Sequence, residues 1–273
     1  MKKIIVPFLL AVMVFSLSSC SVVTSADGDT FESKITFENL SLFCATNAET
    51  AESFAGEIRG IMLEFHGITD QSLTGNPGVK RRCDSEKVLY VFPGNGPWNW
   101  MDRTAVRMTD MIIDVLIEHF KLDKNIPVVS TGHSMGGAGA LTYSVYSKHN
   151  VTAVAADSAV CDLFVFADYY PNAWRGYMRA VGDYEDMSFD EAVKSISPVH
   201  LIDKMKNIPY FLVHGAADTD VLATTNSDVL NDLLSEKGYN VTYKRPENMT
   251  HVVMPAAIEK LYFEFIFSNM MFK

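Results

Sequence analysis

Seven apolar runs, separated by segments of helical periodicity, set the strongest limit on what this chain can fold into. The runs span residues 35–44, 58–66, 88–93, 126–131, 151–156, 208–214 and 240–245. Several are continuous β-branched stretches, as expected for strands that are covered on both faces in a parallel sheet. A repeated order of strand, helix and strand requires crossover connections. The sequence therefore predicts an α/β fold, with a mostly parallel sheet, helices on both faces and functional loops at the carboxyl ends of the strands.

The segments between the runs predict where the helices lie. Helical periodicity is found at residues 101–120, 134–148, 189–195, 224–237 and 255–271. The connection at residues 158–200 is far longer than a usual loop, and long connections in compact domains usually form lids or carry their own structure. We therefore predict one α/β domain at residues 35–273, with a small cap inserted at about residues 158–200.

The first twenty residues have the pattern of an export signal. Two lysines precede an apolar stretch at residues 4–17, which is too short to span a bilayer as a mature helix. The following Leu17-Ser18-Ser19-Cys20 resembles a bacterial lipobox, in which the cysteine is acylated and becomes the new N-terminus. The alternative is an ordinary signal peptide that is cut nearby, with Cys20 incidental. We predict a lipoprotein-type signal at residues 1–19 and a tether at residues 20–34.

This interpretation also predicts where the protein is located. It would be exported and anchored in the cell envelope by its lipid, on the periplasmic or the surface face of a bacterial membrane. Contact with the membrane would be made through the N-terminal lipid only.

Charge and cysteine content exclude two broad classes of protein. The formal net charge is −10 and the densest basic cluster is Lys80-Arg81-Arg82, so a nucleic-acid backbone would be repelled. Apart from Cys20, the chain contains Cys44, Cys83 and Cys161, an odd number that argues against a disulfide scaffold. One disulfide, between Cys44 and Cys83, is an alternative that the sequence leaves open. Three small buried thiols are the simpler interpretation.

Gly132-His133-Ser134-Met135-Gly136 is the strongest chemical signal in the sequence. It directly follows the fourth apolar run and directly precedes a helical segment that opens with small residues. This is the setting of a nucleophile elbow, in which a strained turn between strand and helix lifts a serine hydroxyl above the sheet. The flanking glycines lack the Cβ atoms that would collide in so tight a turn. We predict Ser134 as a nucleophile; the alternative is a glycine-rich turn that only packs a helix closely on the sheet.

A serine nucleophile needs a base and an acid that orients the base, and both are expected at the ends of the last two strands. Asp218 lies in the loop after the sixth apolar run, and His251 follows the seventh. His251 is predicted to accept the serine proton and return it to the leaving group, while Asp218 fixes the imidazole tautomer and stabilises its charged form. Asp220 and, farther back in the chain, Asp157 are the alternatives for the acid.

Two backbone N–H groups are expected to hold the oxyanion that forms when the serine attacks. Met135 follows the nucleophile at the start of a helix and would supply the first. The second could come from either of two strand ends with a glycine turn, Glu64–Ile68 or Phe92–Gly96. The first of these has the His-Gly form associated with this role, so Ile68 is predicted as the second donor. The loop at residues 93–100 would then flank the substrate pocket.

These motifs together resemble the α/β-hydrolase superfamily over residues 58–273. The segment from Ser197 to Val221 is similar to the catalytic domains of prolyl-oligopeptidase-type peptidases and related acyl esterases. The resemblance implies an eight-stranded, mostly parallel sheet, a Ser-His-Asp triad and an acyl-enzyme mechanism. The chain leaves no room for the β-propeller of the oligopeptidases, and His251 follows Met249-Thr250 instead of standing in a Gly-His-Gly setting. These departures favour an esterase over a peptidase.

The sequence thus predicts a serine hydrolase that cleaves small-molecule or carbohydrate esters, of short-chain or acyl-sugar type, without a metal or cofactor. Trp98 and Trp100 in one loop, with Trp174 in the cap, could form an aromatic wall that binds a sugar ring or an aryl acyl group. A cap that buries a small core of its own is the other use of these rings. The alternative functions are a small peptidase or amidase, and a non-catalytic surface binding protein.

Overall fold

The computed structural model describes residues 34–68 and 73–270, and it confirms the α/β architecture. The strands are β1 (Cys44–Thr46), β2 (Gly60–Phe65), β3 (Val88–Pro93), β4 (Val128–His133), β5 (Val151–Asp157), β6 (Tyr210–Val213) and β7 (Val241–Lys244). They form one sheet in the order β1-β3-β2-β4-β5-β6-β7, in which only the β1–β3 pair is antiparallel. Across the described ranges the sheet has seven strands, one fewer than the eight that the resemblance implied.

The helices lie between the strands in the predicted alternation. They are α1 (Ala48–Ala51), α2 (Pro77–Ser85), α3 (Arg103–Phe120), α4 (Met135–Tyr146), α5 (Leu163–Tyr169), α6 (Ala173–Val181), α7 (Phe189–Lys194), α8 (Ser227–Glu236) and α9 (Ala256–Ser268). The five predicted helices correspond to α3, α4, α7, α8 and α9, with ends that differ by at most three residues. Helix α2 was missed, although Asn76 caps it by accepting hydrogen bonds from two backbone N–H groups and a proline follows at its first position.

The first predicted strand, at residues 35–44, is wrong for most of its length. Residues 40–42 form a short 3₁₀ helix, and β1 begins only at Cys44. The Asn39 side chain accepts a hydrogen bond from the Thr36 N–H at 2.8 Å. Such a local contact offers the backbone a turn in place of an extended strand, and apolar content alone does not reveal it.

Alternation of side chains along the strands builds an apolar layer on each face of the sheet. On β2, Ile61 and Leu63 belong to the layer shared with α3, α4 and α8, whereas Met62 belongs to the layer shared with α2 and α9. All six residues of β3 are buried. Coverage on both faces explains why the central strands are continuous apolar runs.

The connection between β5 and β6 contains α5, α6 and α7 together with a third apolar cluster. This cap cluster includes Leu163, Phe166 and Tyr177. Trp100, which precedes α3, and Met135, at the start of α4, belong to the same cluster. The cap helices therefore pack directly on the segments that follow β3 and β4.

The described cysteines have free, buried thiols at positions 44, 83 and 161, which agrees with the simpler of the two interpretations. Burial raises the pKa of Cys44 and of Cys161 to about 12, and it raises the pKa of Cys83 as well. All three thiols are therefore protonated at neutral pH.

Residues 1–33, which include the predicted signal peptide, Cys20 and almost all of the predicted tether, lie outside the described residues. Within the described ranges, no helix combines the length and the hydropathy that a membrane span needs. Export and lipid anchoring stay predictions.

Candidate active site

The predicted nucleophile lies at the sharp turn between β4 and α4. Ser134 has φ 54° and ψ −123°, a conformation that a residue with a side chain adopts only when its surroundings hold it there. Its N–H donates to the Asp157 carbonyl at 2.9 Å, and its own carbonyl accepts from the N–H groups of Gly137 and Ala138. The strained turn is thus held by a neighbouring strand on one side and by the first turn of a helix on the other, as in a nucleophile elbow.

Glycine is required in this motif because α4 begins directly against the end of β2. A Cβ atom on Gly136 would lie 2.0 Å from the carbonyl oxygen of Phe65 and 2.7 Å from that of His66. A Cβ atom on Gly132 would lie 2.3 Å from the carbonyl oxygen of Gly136. These contacts involve backbone atoms, so no side-chain rotation could relieve them. The two glycines bring the loop after β2 beside the nucleophile turn.

The predicted acid and base form a hydrogen-bonded pair. His251 Nδ1 lies 2.8 Å from Asp218 Oδ2, and because an ionised carboxylate only accepts, Nδ1 carries the proton and Nε2 is the acceptor in the neutral ring. Asp218 Oδ1 accepts from the backbone N–H groups of Asp220 and Val221 at 3.0 and 2.9 Å. Within the described part of the chain, Asp220 makes no hydrogen bond to His251. The geometry pairs the histidine with Asp218.

A second histidine contacts the same carboxylate. His214 is fully buried, and its Nε2 lies 2.8 Å from the Val221 carbonyl and 3.2 Å from Asp218 Oδ2. Its Nδ1 lies 2.7 Å from the Ser227 hydroxyl. Since the carbonyl only accepts, Nε2 carries the proton and Nδ1 accepts from the serine. No sequence motif marks Ser227 as the partner of His214, so this contact could not be predicted from the sequence.

These contacts set the charges of the acid and the base. Burial raises the pKa of Asp218, but hydrogen bonds from His214, His251 and Val221 outweigh it and hold that pKa well below its ordinary value. Burial lowers the pKa of His251, but the hydrogen bond and the negative charge of Asp218 prevail, so the net pKa is above the ordinary value. Asp218 is therefore ionised at neutral pH and stabilises the imidazolium.

The Ser134 hydroxyl and His251 form no hydrogen bond in the described structure, but the end of β5 connects their two loops. Asp157 accepts from the Ser134 N–H through its carbonyl, and its carboxylate accepts from the Ser158 hydroxyl at 2.9 Å. The same hydroxyl accepts from the Val252 N–H at 3.3 Å. Ser158 and Val252 both have positive φ, 47° and 53°. The contact between Val252 and Ser158, both in a strained conformation, holds the histidine loop near the elbow. Catalytic hydrogen bonds often tighten only in the substrate complex.

Asp157, the other alternative for the acid, is a buried carboxyl whose pKa burial raises to about 6. The hydrogen bond from Ser158 and the charges of His214 and His251 oppose this effect of burial. In the described structure it forms no hydrogen bond with His251, but its charge adds to the rise in the pKa of that histidine. Asp157 therefore acts on His251 through its charge and not through a hydrogen bond.

The two predicted oxyanion donors lie on segments that pack against each other at the elbow. Met135 is the first residue of α4, and the side chain of Ile68 packs against the cap cluster to which Met135 belongs. A Cβ atom on Gly67 would lie 3.1 Å from His133 Nε2, so the loop before Ile68 lies against the elbow. His66 Nδ1 donates to the Gly67 carbonyl at 2.8 Å, which fixes the shape of this loop.

The loop between β3 and α3 contains two of the predicted substrate residues and has a strained backbone. Trp98 and Trp100 have φ of 58° and 48°. Asn99 lies between them, and its side-chain amide is 3.4 Å from His66 Nε2, next to the predicted oxyanion loop. Trp100 is only 1% exposed and packs edge-on against Tyr177. Cap packing therefore buries Trp100, which argues against its predicted contact with substrate.

The other two tryptophans differ in their surroundings. Trp98 is half-buried and lines an open pocket with Tyr170, whose ring is nearly parallel to it at a centroid distance of 6.3 Å. Trp174 packs edge-on against Phe164 and Tyr177, as in a cap with its own core. Of the three predicted aromatic residues, Trp98 is the one that the structure places on this pocket.

Sequence comparison gives the family. Residues 76–262 match the model of the Esterase family, and this span contains the predicted nucleophile, acid and base. No curated protein matches the chain by sequence.

Structural comparison gives the fold. Esterase B from Lactobacillus rhamnosis is 17% identical with a TM-score of 0.60, over 77% of this chain and 76% of that chain. An S-formylglutathione hydrolase from Agrobacterium tumefaciens is 16% identical with a TM-score of 0.59, over 77% and 83%. An acylaminoacyl peptidase from Pyrococcus horikoshii is 16% identical with a TM-score of 0.61, over 79% of this chain and 38% of that chain. These similarities confirm the α/β-hydrolase fold.

Proposed function

This chain belongs to the Esterase family, and from that premise we propose that it is a serine hydrolase that cleaves short-chain or acyl-sugar esters. The observation that carries the proposal is the hydrogen bond between His251 and the buried Asp218, on loops that lie next to a serine in a strained turn. In this proposal Ser134 is the nucleophile, His251 the general base and Asp218 the orienting acid.

The proposed reaction has two halves. His251 Nε2 takes the proton of the Ser134 hydroxyl while the serine oxygen attacks the acyl carbon, and the N–H groups of Met135 and Ile68 hold the oxyanion. The histidine then returns the proton to the leaving alcohol, and an acyl-enzyme remains. Water attacks the acyl-enzyme in the same way and releases the carboxylic acid. All of these steps use only protein groups and water.

The surroundings of the serine support a small acyl group. Met135, Val160 and Val221 are each at most 2% exposed and belong to one apolar cluster. The Val160 N–H donates to the Ser134 carbonyl, so this apolar cluster begins next to the nucleophile. A densely packed apolar wall favours short acyl chains, because a long chain would need open space there.

A fluorophosphonate probe and a matched pair of substrates test this proposal. The probe should label the protein, and peptide mapping should find the label on Ser134. The protein should hydrolyse 4-nitrophenyl acetate and be much slower on 4-nitroacetanilide, which has the same acyl group. Absence of both labelling and turnover would favour a binding protein, and comparable turnover of the anilide would favour a peptidase or amidase.

We also propose that the protein is exported and held at the cell envelope by a lipid on Cys20. The two N-terminal lysines, the apolar stretch at residues 4–17 and the Leu17-Ser18-Ser19-Cys20 ending support this. Cells grown with an alkyne fatty acid should label the wild-type protein but not a Cys20→Ser variant, and the wild type alone should sediment with membranes. A wild-type protein without label, or a labelled variant, would contradict the lipid anchor.

A further inference from the structure

A pocket beside the loop between β3 and α3 combines two flat rings with two arginines. It has a volume of about 420 Å³ and is lined by Trp98, Tyr170, Asn172, Arg175, Gly176 and Arg179. The loop contributes Trp98, and the cap contributes the other residues, from the end of α5 and from α6. Two separate parts of the chain therefore build this pocket.

No acidic side chain of the described residues pairs with the arginines of the pocket. Arg175 and Arg179 are four residues apart on α6, so they lie on the same face of that helix. Both are exposed, and neither forms an ion pair or a side-chain hydrogen bond with another described residue. By contrast, Arg103 is held by Asp186 at 2.8 Å. Two neighbouring cations without a described carboxylate partner repel each other, and an anion between them would relieve this repulsion.

Two aromatic rings lie in the pocket with these cations. Trp98 and Tyr170 are parallel to within 11°, and Tyr170 is 41% exposed. A Cβ atom on Gly176 would lie 2.6 Å from the Trp98 ring, so the indole packs directly on the backbone of α6. A sugar ring or an aryl ring packs well on the exposed part of such an aromatic ring, because each presents an apolar face.

The loop between β3 and α3 connects the pocket to the segment that holds the predicted oxyanion donor Ile68. Trp98 directly precedes Asn99, whose amide is 3.4 Å from His66 in the predicted oxyanion loop. Trp98 also packs against the cap cluster, to which Met135 belongs. The loop that lines the pocket therefore also contacts the predicted oxyanion loop.

We propose that this pocket binds a carboxylate carried on a ring, so that the preferred substrates are esters whose ring bears a negative charge. The guanidinium groups would bind the carboxylate, since their planar geometry matches it, and the rings of Trp98 and Tyr170 would bind the ring. This inference rests on the proposed ester hydrolysis and adds a charge to its substrate class. An acidic sugar and an aromatic acid share this chemistry.

Two matched pairs of acetyl esters test the proposal and distinguish its two sources. One pair is an acetylated methyl glucuronide and the corresponding methyl glucoside; the other is 4-carboxyphenyl acetate and phenyl acetate. We expect kcat/KM to be about tenfold higher for the charged member of one pair, as expected for two partly exposed ion pairs. The pair that shows the preference identifies the source. Lack of a preference in both pairs would overturn the proposal.

Variants of the two arginines test whether the pocket causes the preference. Arg175→Gln and Arg179→Gln should each lower the charged-to-neutral ratio about threefold, and the double variant should bring it near one. Salt at about 1 M should have the same effect on the wild type, because the Debye length falls to about 3 Å. Arg81→Gln removes an exposed arginine of α2 that forms no ion pair with the residues described, and it is the matched control. Its ratio should equal that of the wild type. A ratio that is insensitive to both pocket variants would also overturn the proposal.

Failure of this inference differs from failure of the proposed function. Hydrolysis of the neutral esters without a charge preference would leave the function intact and overturn the pocket assignment. If no ester is hydrolysed, the proposed function is wrong, and ligand binding then tests the pocket assignment on its own. In that case methyl β-D-glucuronide or benzoate, but not methyl β-D-glucoside, should change the tryptophan fluorescence through Trp98. A fluorescence change that is absent, or equal for charged and neutral ligands, would then overturn the assignment.

Discussion

Ser134→Ala is expected to lower kcat/KM for 4-nitrophenyl acetate by about 10⁴-fold or more, since the variant lacks the attacking oxygen. Stability should change little, by less than about 1 kcal/mol. The turn is held by backbone hydrogen bonds of residue 134, its side chain makes no capping bond, and alanine has the same Cβ at the positive φ. Initial rates and urea unfolding of the two proteins measure both quantities.

A second serine on the same helix provides the control for this variant. Ser144 is buried on α4, and its hydroxyl donates to the Leu141 carbonyl at 2.7 Å. Ser144→Ala should keep the wild-type rate, because this hydroxyl lies within the helix packing and outside the proposed site. If Ser134→Ala retained a rate within about tenfold of the wild type, another group would be the nucleophile.

Asp218→Asn is expected to lower kcat about 10³-fold to 10⁴-fold, as in other serine hydrolases that lose the orienting carboxylate. The variant loses the negative charge that stabilises the imidazolium, and it presents an amide where His251 Nδ1 needs an acceptor. Asp220→Asn removes the same charge two residues away but breaks no hydrogen bond to His251, so its rate should fall less than about tenfold. If Asp220→Asn shows the large loss of kcat and Asp218→Asn does not, Asp218 is not the acid.

The pH dependence of the same variants gives an independent measure. A general base must be neutral, so kcat/KM of the wild type should rise with pH through a midpoint above the ordinary pKa of histidine, because the pKa of His251 is raised. In Asp218→Asn the burial that lowers this pKa remains, while the hydrogen bond and charge that raise it are lost. The midpoint should therefore move to lower pH. In Asp220→Asn the midpoint should move in the same direction but by a smaller amount, because the charge of Asp220 raises the pKa of His251 less than Asp218 does.

The fold could be predicted because the central strands are buried on both faces. This burial produces continuous apolar runs, which a single sequence reveals without an alignment. In β3 every residue is buried. The prediction of the first strand was wrong because local hydrogen bonds turn the backbone there, among them the one that the Asn39 side chain accepts from the Thr36 N–H. Helix α2 had a readable start at Asn76-Pro77, but its polar composition hid the period.

Only those residues of the candidate site that follow a strand could be predicted from the sequence. Ser134, Asp218 and His251 each follow a strand of the parallel sheet, so their common edge follows from chain order. The contact between His214 and Ser227 joins a strand end to a helix, and the burial of Trp100 depends on the packing of the cap. Both are tertiary contacts that local sequence patterns do not encode.

The inaccessible thiols at positions 44, 83 and 161 make the described part of the molecule well suited to site-directed spectroscopy. Maleimide reagents need an accessible thiolate, and these three groups are both enclosed and protonated. A cysteine introduced by Met178→Cys, on the outer face of α6 where the native side chain is 57% exposed, would react selectively within that part. An attached dye would then report movement of the cap in real time, and the three described native cysteines would need no prior removal.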